Sequence, residues 1–184
     1  MKKLIPLSVI LISFLCFQAC ENQDVQPDVI PQAGTANPDA EDPGLAGTDA
    51  NKRVINYVAH LSGDEEVPPV ETNAVGQVKF QLSADGSELY YKLIVANINN
   101  VLASHIHLAP AGVSGLVVAF LFPGPLVPSA NGILAEGTIT SANLIGPLAG
   151  KTLADLVSAI NDGQTYVNVH TIAFGGGEIR GQIK

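Results

Sequence analysis

Alternation with a period of two governs this chain from residue 54 to residue 183. Val78, Phe80 and Leu82 fall on one side of an extended segment, with Gln77, Lys79 and Gln81 on the other. Side chains on a strand alternate between faces, so this spacing predicts a half-buried β-strand. Strands are expected over 54–61, 75–82, 88–96, 104–108, 116–121, 133–140, 165–171 and 178–183. They are separated by Asp85-Gly86, Asn99-Asn100, Pro110-Ala111-Gly112, Asn131-Gly132 and Gly175-Gly176-Gly177, all breaker signals. Residues 117–121 are apolar throughout, as expected for a strand covered on both sides or lying at the centre of a sandwich. Short strands with such turns predict an all-β fold, a Greek-key β-sandwich or barrel. One helix interrupts it, over 153–161. Thr152 and Asp155 form a capping-box pair, Leu153, Leu156, Val157 and Ile160 share a face, and Asp162-Gly163 stops the turn.

The first 51 residues are of another kind. Lys2 and Lys3 precede an apolar run from Leu4 to Phe17, followed by Gln18, Ala19 and Cys20. A basic start, a short apolar core and a small residue at the cut predict a signal peptide over 1–19. The run is shorter than the roughly 20 apolar residues of a membrane-spanning helix. Ala19-Cys20 resembles a bacterial lipobox, which implies a lipid on Cys20 and an exported protein anchored to the cell envelope. Cys16 leaves with the signal, so Cys20 keeps no disulfide partner within the chain. Residues 20–51 then read as a flexible tether. From Glu21 to Asn51 there are seven acidic residues, no basic ones and four prolines, too little apolar surface to offset chain entropy. Without Lys2 and Lys3 the mature chain has 7 basic and 17 acidic residues, a charge of −10, of which −7 lies in the tether and −3 on residues 52–184. A nearly neutral domain lacks the clustered Lys and Arg that grip nucleic acid. The expected partners are a membrane, through Cys20, and a protein partner or a second copy of the chain.

The informative polar residues stand in strands otherwise built for a core. His105 and His107, at i and i+2, share a face with their bases about 6.6 Å apart. Two imidazoles at that spacing can converge on one ion. Tyr166, Asn168 and His170 share a face against Val167 and Val169, and Glu178, Arg180 and Gln182 oppose Ile179 and Ile183. A hairpin through Gly175–Gly177 would set these polar groups side by side, predicting a binding patch of Asn168, His170, Glu178 and Arg180 on the sheet surface. If His170 meets His105 and His107, the three form a candidate metal set for copper or zinc. The alternatives are structural: imidazoles satisfied by carbonyls and carboxylates, and a Glu178–Arg180 ion pair. His60 reads as a surface residue, and Asp64-Glu65-Glu66 as a solvated loop, since it lacks the alternating oxygen spacing of a calcium site.

Four blocks of these residues resemble the CHRD domain. They are Leu61-Ser62-Gly63-Asp64-Glu65-Glu66-Val67-Pro68-Pro69-Val70 with Ala74-x-Gly76, His105-Ile106-His107-Leu108-x-Pro110-Ala111-Gly112-x-x-Gly115, Tyr166-Val167-Asn168-Val169-His170-Thr171, and Gly177-Glu178-Ile179-Arg180-Gly181-Gln182. The resemblance spans about residues 54–184 and implies an extracytoplasmic β-sandwich module with no established biochemical activity. The arrangement is also similar to copper/zinc superoxide dismutase, with a His-x-His strand, a later strand histidine and an arginine. It departs from that enzyme in lacking a bridging histidine, the zinc-loop ligands and the internal disulfide. Either immunoglobulin-like or dismutase-like topology satisfies the strand count.

Two function classes follow. One is a non-catalytic, membrane-anchored binding or structural module. The other is a metal-binding protein using His105, His107 and His170, with a redox role open to it. Ser62 and Ser104 lack a Gly-x-Ser-x-Gly elbow, and the chain has no phosphate-binding Gly-x-x-x-x-Gly-Lys pattern. No catalytic residue is assigned.

Overall fold

Strands hold 52% of the described residues, and a computed structural model of the chain describes residues 55–184. The expected signal peptide over 1–19, the expected lipid site Cys20 and the expected tether over 20–51 lie outside them. In chain order the elements are β1 (Ile55–Ser62), β2 (Val75–Leu82), β3 (Leu89–Leu108), β4 (Leu116–Phe122), β5 (Val127–Ile139), α1 (Leu153–Asn161), β6 (Thr165–Thr171) and β7 (Ile179–Gln182). Among the described residues no helix is long and apolar enough to cross a membrane.

The all-β expectation holds. Five strands close a barrel in the order β2-β1-β7-β6-β3, with β3 returning to β2, while β4 and β5 pair with the other edge of β3. Every pairing is antiparallel. Strand β3 makes the closure work. Its first half pairs with β2 and β5, and its second half with β6 and β4. Asn99-Asn100 was expected to separate two strands there. Instead the strand continues through a bend. Asn97 and Asn100 adopt φ of 57° and 52°, the left-handed conformation that Asn tolerates better than most residues. Asn131-Gly132 likewise bends β5 without ending it, Gly132 taking φ of 123°.

Alternation delivers the core. Val78, Phe80, Leu93, Ile106, Val167, Val169, Ile179 and Ile183 are buried together inside the barrel. Helix α1 adds Leu153, Leu156 and Ile160 to the same cluster. Its expected capping box is present: Asp155 Oδ2 accepts from the Thr152 amide at 2.8 Å, and Thr152 Oγ1 accepts from the Asp155 amide at 3.3 Å.

The barrel closes along a narrow seam between β1 and β7. Ser62 faces Arg180 in register, and Val58 and Lys184 exchange backbone hydrogen bonds at 2.8 and 2.9 Å. Gly181 sits between them, where a Cβ would collide with the backbone carbonyl of His60. A strand cannot move away from that clash without opening the seam. Gly181→Ala is therefore expected to cost about 1–3 kcal/mol of stability, as overpacking does elsewhere. Gly175→Ala, whose Cβ would meet nothing within 4 Å, should be close to neutral. Urea unfolding of the two variants beside wild type checks both.

Candidate metal centre

The second half of β3 carries Ser104-His105-Ile106-His107-Leu108. Ile106 enters the core, fully buried, and Ser104 donates to the Asn168 carbonyl at 2.7 Å. His105 and His107 therefore project from the outer face. Irregularities in the pairing with β4, between Ser104 and His105 and between Ile106 and His107, re-aim side chains as bulges do. On β6, Asn168 lies across from His105, Tyr166 across from His107, and His170 across from Ala103. His170 is thus a diagonal neighbour of His105.

The three histidines meet. One potential ligand atom from each of His105, His107 and His170 lies within 4.8 Å of the others. The ring centroids are 4.8 Å apart for His105 and His170, 5.6 Å for His105 and His107, and 6.0 Å for His107 and His170. Metal–nitrogen bonds of about 2.0–2.1 Å allow nitrogens at most about 4.2 Å apart across one ion. The widest separation exceeds that limit, so the imidazoles must draw together for all three to reach one ion.

Hydrogen bonding fixes which nitrogens are free. His107 Nδ1 lies 2.9 Å from the Gly115 carbonyl, and His170 Nδ1 3.0 Å from the Gly175 carbonyl. A carbonyl only accepts, so each Nδ1 carries the proton, and in a neutral ring Nε2 keeps its lone pair. Both Nε2 atoms are buried and unpartnered, as is Nδ1 of His105. This matches the pattern of ligating histidines, whose second ring nitrogen donates to a backbone carbonyl. Burial favours the neutral rings. Desolvation, then the neighbouring His170 and His107, holds His105 down at about 4. Desolvation also lowers His107 and His170, against the raising effect of their carbonyl bonds.

The polar residues beside the histidines share one strand face, as the alternation predicts, but that face is not a surface. Asn168 and Arg180 face each other in register, and both are buried, as are Glu178 and Tyr166. Loops roof them. Glu178 does not pair with Arg180; its carboxylate accepts from Thr72 and Thr171, both at 2.7 Å, which fastens the loop after β1. Arg180 lies 3.4 Å over the Tyr166 ring and donates to the Pro110 and Val113 carbonyls at 3.2 and 3.0 Å. Tyr166 stacks its ring on His107, centroids 4.8 Å apart and nearly parallel, and its hydroxyl accepts from the Gly115 amide at 3.2 Å. Gln182 donates to the carbonyls of Ala109 and Gly163. Arg180, Tyr166 and Gln182 together seat the loop that presents the Gly115 carbonyl to His107. Of the expected binding patch, Asn168, Glu178 and Arg180 are buried beneath these loops and His170 is half-buried.

Two residues escape sequence reasoning. Glu66 was expected in a solvated loop, yet only Asp64 and Glu65 are exposed. A 3-10 turn over Gly63–Glu65 directs the Glu66 carboxyl inward, over Gly177 and beside Asn168. Burial raises its pKa, opposed by the Val67 amide, Arg180 and Asn168. Phe120 sets its ring edge-on to His105 at 4.6 Å while remaining 47% exposed. Nothing in an Asp-Glu-Glu run or an apolar strand marks either position. His60 lies apart, exposed, its Nδ1 3.3 Å from Gln77 Nε2, as expected of a surface residue.

Comparison with known families places these features in a single frame. The family model of the CHRD domain matches residues 57–183, which contain every residue of the site. No curated protein matches the chain.

The depressed imidazoles give the metal-free protein a defined pH response. Above about 6.5, the usual histidine value, folded and unfolded chains are both neutral at these sites. As pH falls below it, the unfolded chain takes up protons that folded His105 refuses until about 4. Stability should therefore fall between those limits and the histidine contribution level off below. Urea midpoints of chelator-treated protein measure this, and His105→Asn should flatten the slope.

Proposed function

Because the chain belongs to the CHRD-domain family, a family whose members read as binding or structural modules, we propose that it is a lipid-anchored envelope protein whose barrel binds one transition-metal ion. The ligands are His105 through Nδ1 and His107 and His170 through Nε2. One observation carries this reading: three buried imidazole nitrogens lack partners on rings that each bring a ligand atom within 4.8 Å of the others, while two of the rings are held from behind by backbone carbonyls. Buried polar atoms are nearly always paired, and a divalent cation would satisfy all three. Imidazole suits copper or zinc, and the set contains no hard oxygen ligand that would favour calcium or magnesium. The buried carboxylates of Glu66 and Glu178 offset the charge of an ion placed near Arg180.

The anchor completes the proposal. Acylated Cys20 holds the protein at a membrane, with the acidic segment between it and the barrel in the chain. The domain acts there as a non-catalytic metal binder.

Calorimetric titration of the metal-free protein with copper and zinc, followed by elemental analysis, tests the site. One ion per chain is expected, and at 100 times Kd the ion should add about 2.7 kcal/mol of stability. His105→Ala and His170→Ala should each weaken binding beyond the 10–100-fold typical of outer-shell losses, with His60→Ala unchanged. Absence of stoichiometric binding below millimolar metal would reject the site. For the anchor, metabolic labelling with a fatty acid should mark the wild type and miss Cys20→Ser; equal labelling of both, or of neither, rejects it.

A further inference from the structure

Of the six buried side-chain atoms without partners among the described residues, five gather here: nitrogens of His105, His107 and His170, Oδ1 of Asn168 and Oε1 of Glu66. Three ligands to an ion leave two atoms unexplained. Asn168 is 2% exposed and stands between His105 and Arg180 in the strand register. Its Nδ2 donates to the Gly176 carbonyl at 3.4 Å and, with the Glu66 carboxyl, crowds the point where a Cβ on Gly177 would sit. That contact orients the amide, because the opposite placement would set two carbonyl oxygens against each other. Oδ1 is thereby left turned away from the Gly176 carbonyl, on the residue that lies across from His105.

Apart from the His105 nitrogen, whose tautomer no partner fixes, the unpartnered histidine and asparagine atoms are acceptors. Those acceptors supply no hydrogen to Asn168 Oδ1. An amide oxygen is a weak ligand for metals that prefer imidazole, but a good acceptor for a coordinated water. The site also reaches solvent on one side: His105 and His170 are only half-buried, and Phe120 against His105 is exposed.

We infer that an ion held by His105, His107 and His170 keeps one exchangeable coordination position, where a water donates to Asn168 Oδ1 and can be replaced by small donors such as azide. This rests on the metal-binding reading. The Glu66 carboxyl and the Asn168 amide both border Gly177. Three protein ligands plus one open position is the arrangement that lets a metal take up a small molecule.

The test uses the full chain loaded with copper(II). Water-proton relaxation should show an inner-sphere water, and azide should quench that contribution while a near-ultraviolet charge-transfer band appears. Asn168→Leu, or Asn168→Ala if the former does not fold, should keep one copper per chain and shift azide affinity about tenfold. A purely structural Asn168 would leave azide affinity unmoved, and that result overturns its assignment. One copper per chain with no azide-sensitive water means a closed site: the inference falls and the metal reading stands. Failure of wild type to bind copper removes both.

Discussion

Burying a polar sheet face obliges each donor and acceptor on it to find a partner, and this obligation organises the second half of β3, β6 and β7. Their inner face is aliphatic and needs only close packing. Their outer face carries His105, His107, Tyr166, Asn168, His170, Arg180 and Gln182, and loops cover most of it. Each of those loops is therefore tied down by hydrogen bonds from the face beneath: Arg180 to the 110–113 carbonyls, His107 to Gly115, His170 to Gly175, Glu178 to Thr72. Where this pairing is complete the result is scaffold. Where it fails, at the imidazoles and the Asn168 oxygen, the result is the candidate site.

Scaffold and site divide along the motif blocks of the family. The 105–115 block supplies two histidines and the carbonyl that fixes one of them. The 166–171 block supplies the third histidine, the ring stacked on His107 and the Asn168 amide. The 177–182 block contributes no ligand. Its Arg180 and Gln182 hold the loop of the 105–115 block, its Glu178 holds the loop of the first block, and its Gly181 lets the barrel close. Gly115 and Gly177 are required for the same reason: a side chain at Gly115 would strike the Leu108 carbonyl, and one at Gly177 would strike Glu66 and Asn168. The four blocks, far apart in the chain, meet because the sheet sets β1, β7, β6 and β3 side by side.

Much of this was legible in the sequence. Strand period assigned His105, His107, His170, Asn168 and Arg180 to their faces, and the box at Thr152 and Asp155 placed α1 at Leu153–Asn161. The Asn99-Asn100 signal failed because a residue that favours a turn can also let a long strand bend, and β3 is paired on both edges either side of the bend. The solvated Asp-Glu-Glu loop failed at Glu66 because a single 3-10 turn sends one of three identical-looking acids inward. The same sequence pattern fits a half-exposed sheet, so it could not show that the polar face is roofed.

Local backbone geometry is fixed by neighbours in the chain, and for that reason the sequence by itself determined the strands, the helix and which side chains share a face. Tertiary structure decided which faces lose water, how His170 comes to lie diagonally beside His105, and which imidazole nitrogens find carbonyls. Those outcomes depend on loops separated by some hundred residues in the chain, such as Thr72 from Glu178, and no short-range pattern encodes contacts of that span.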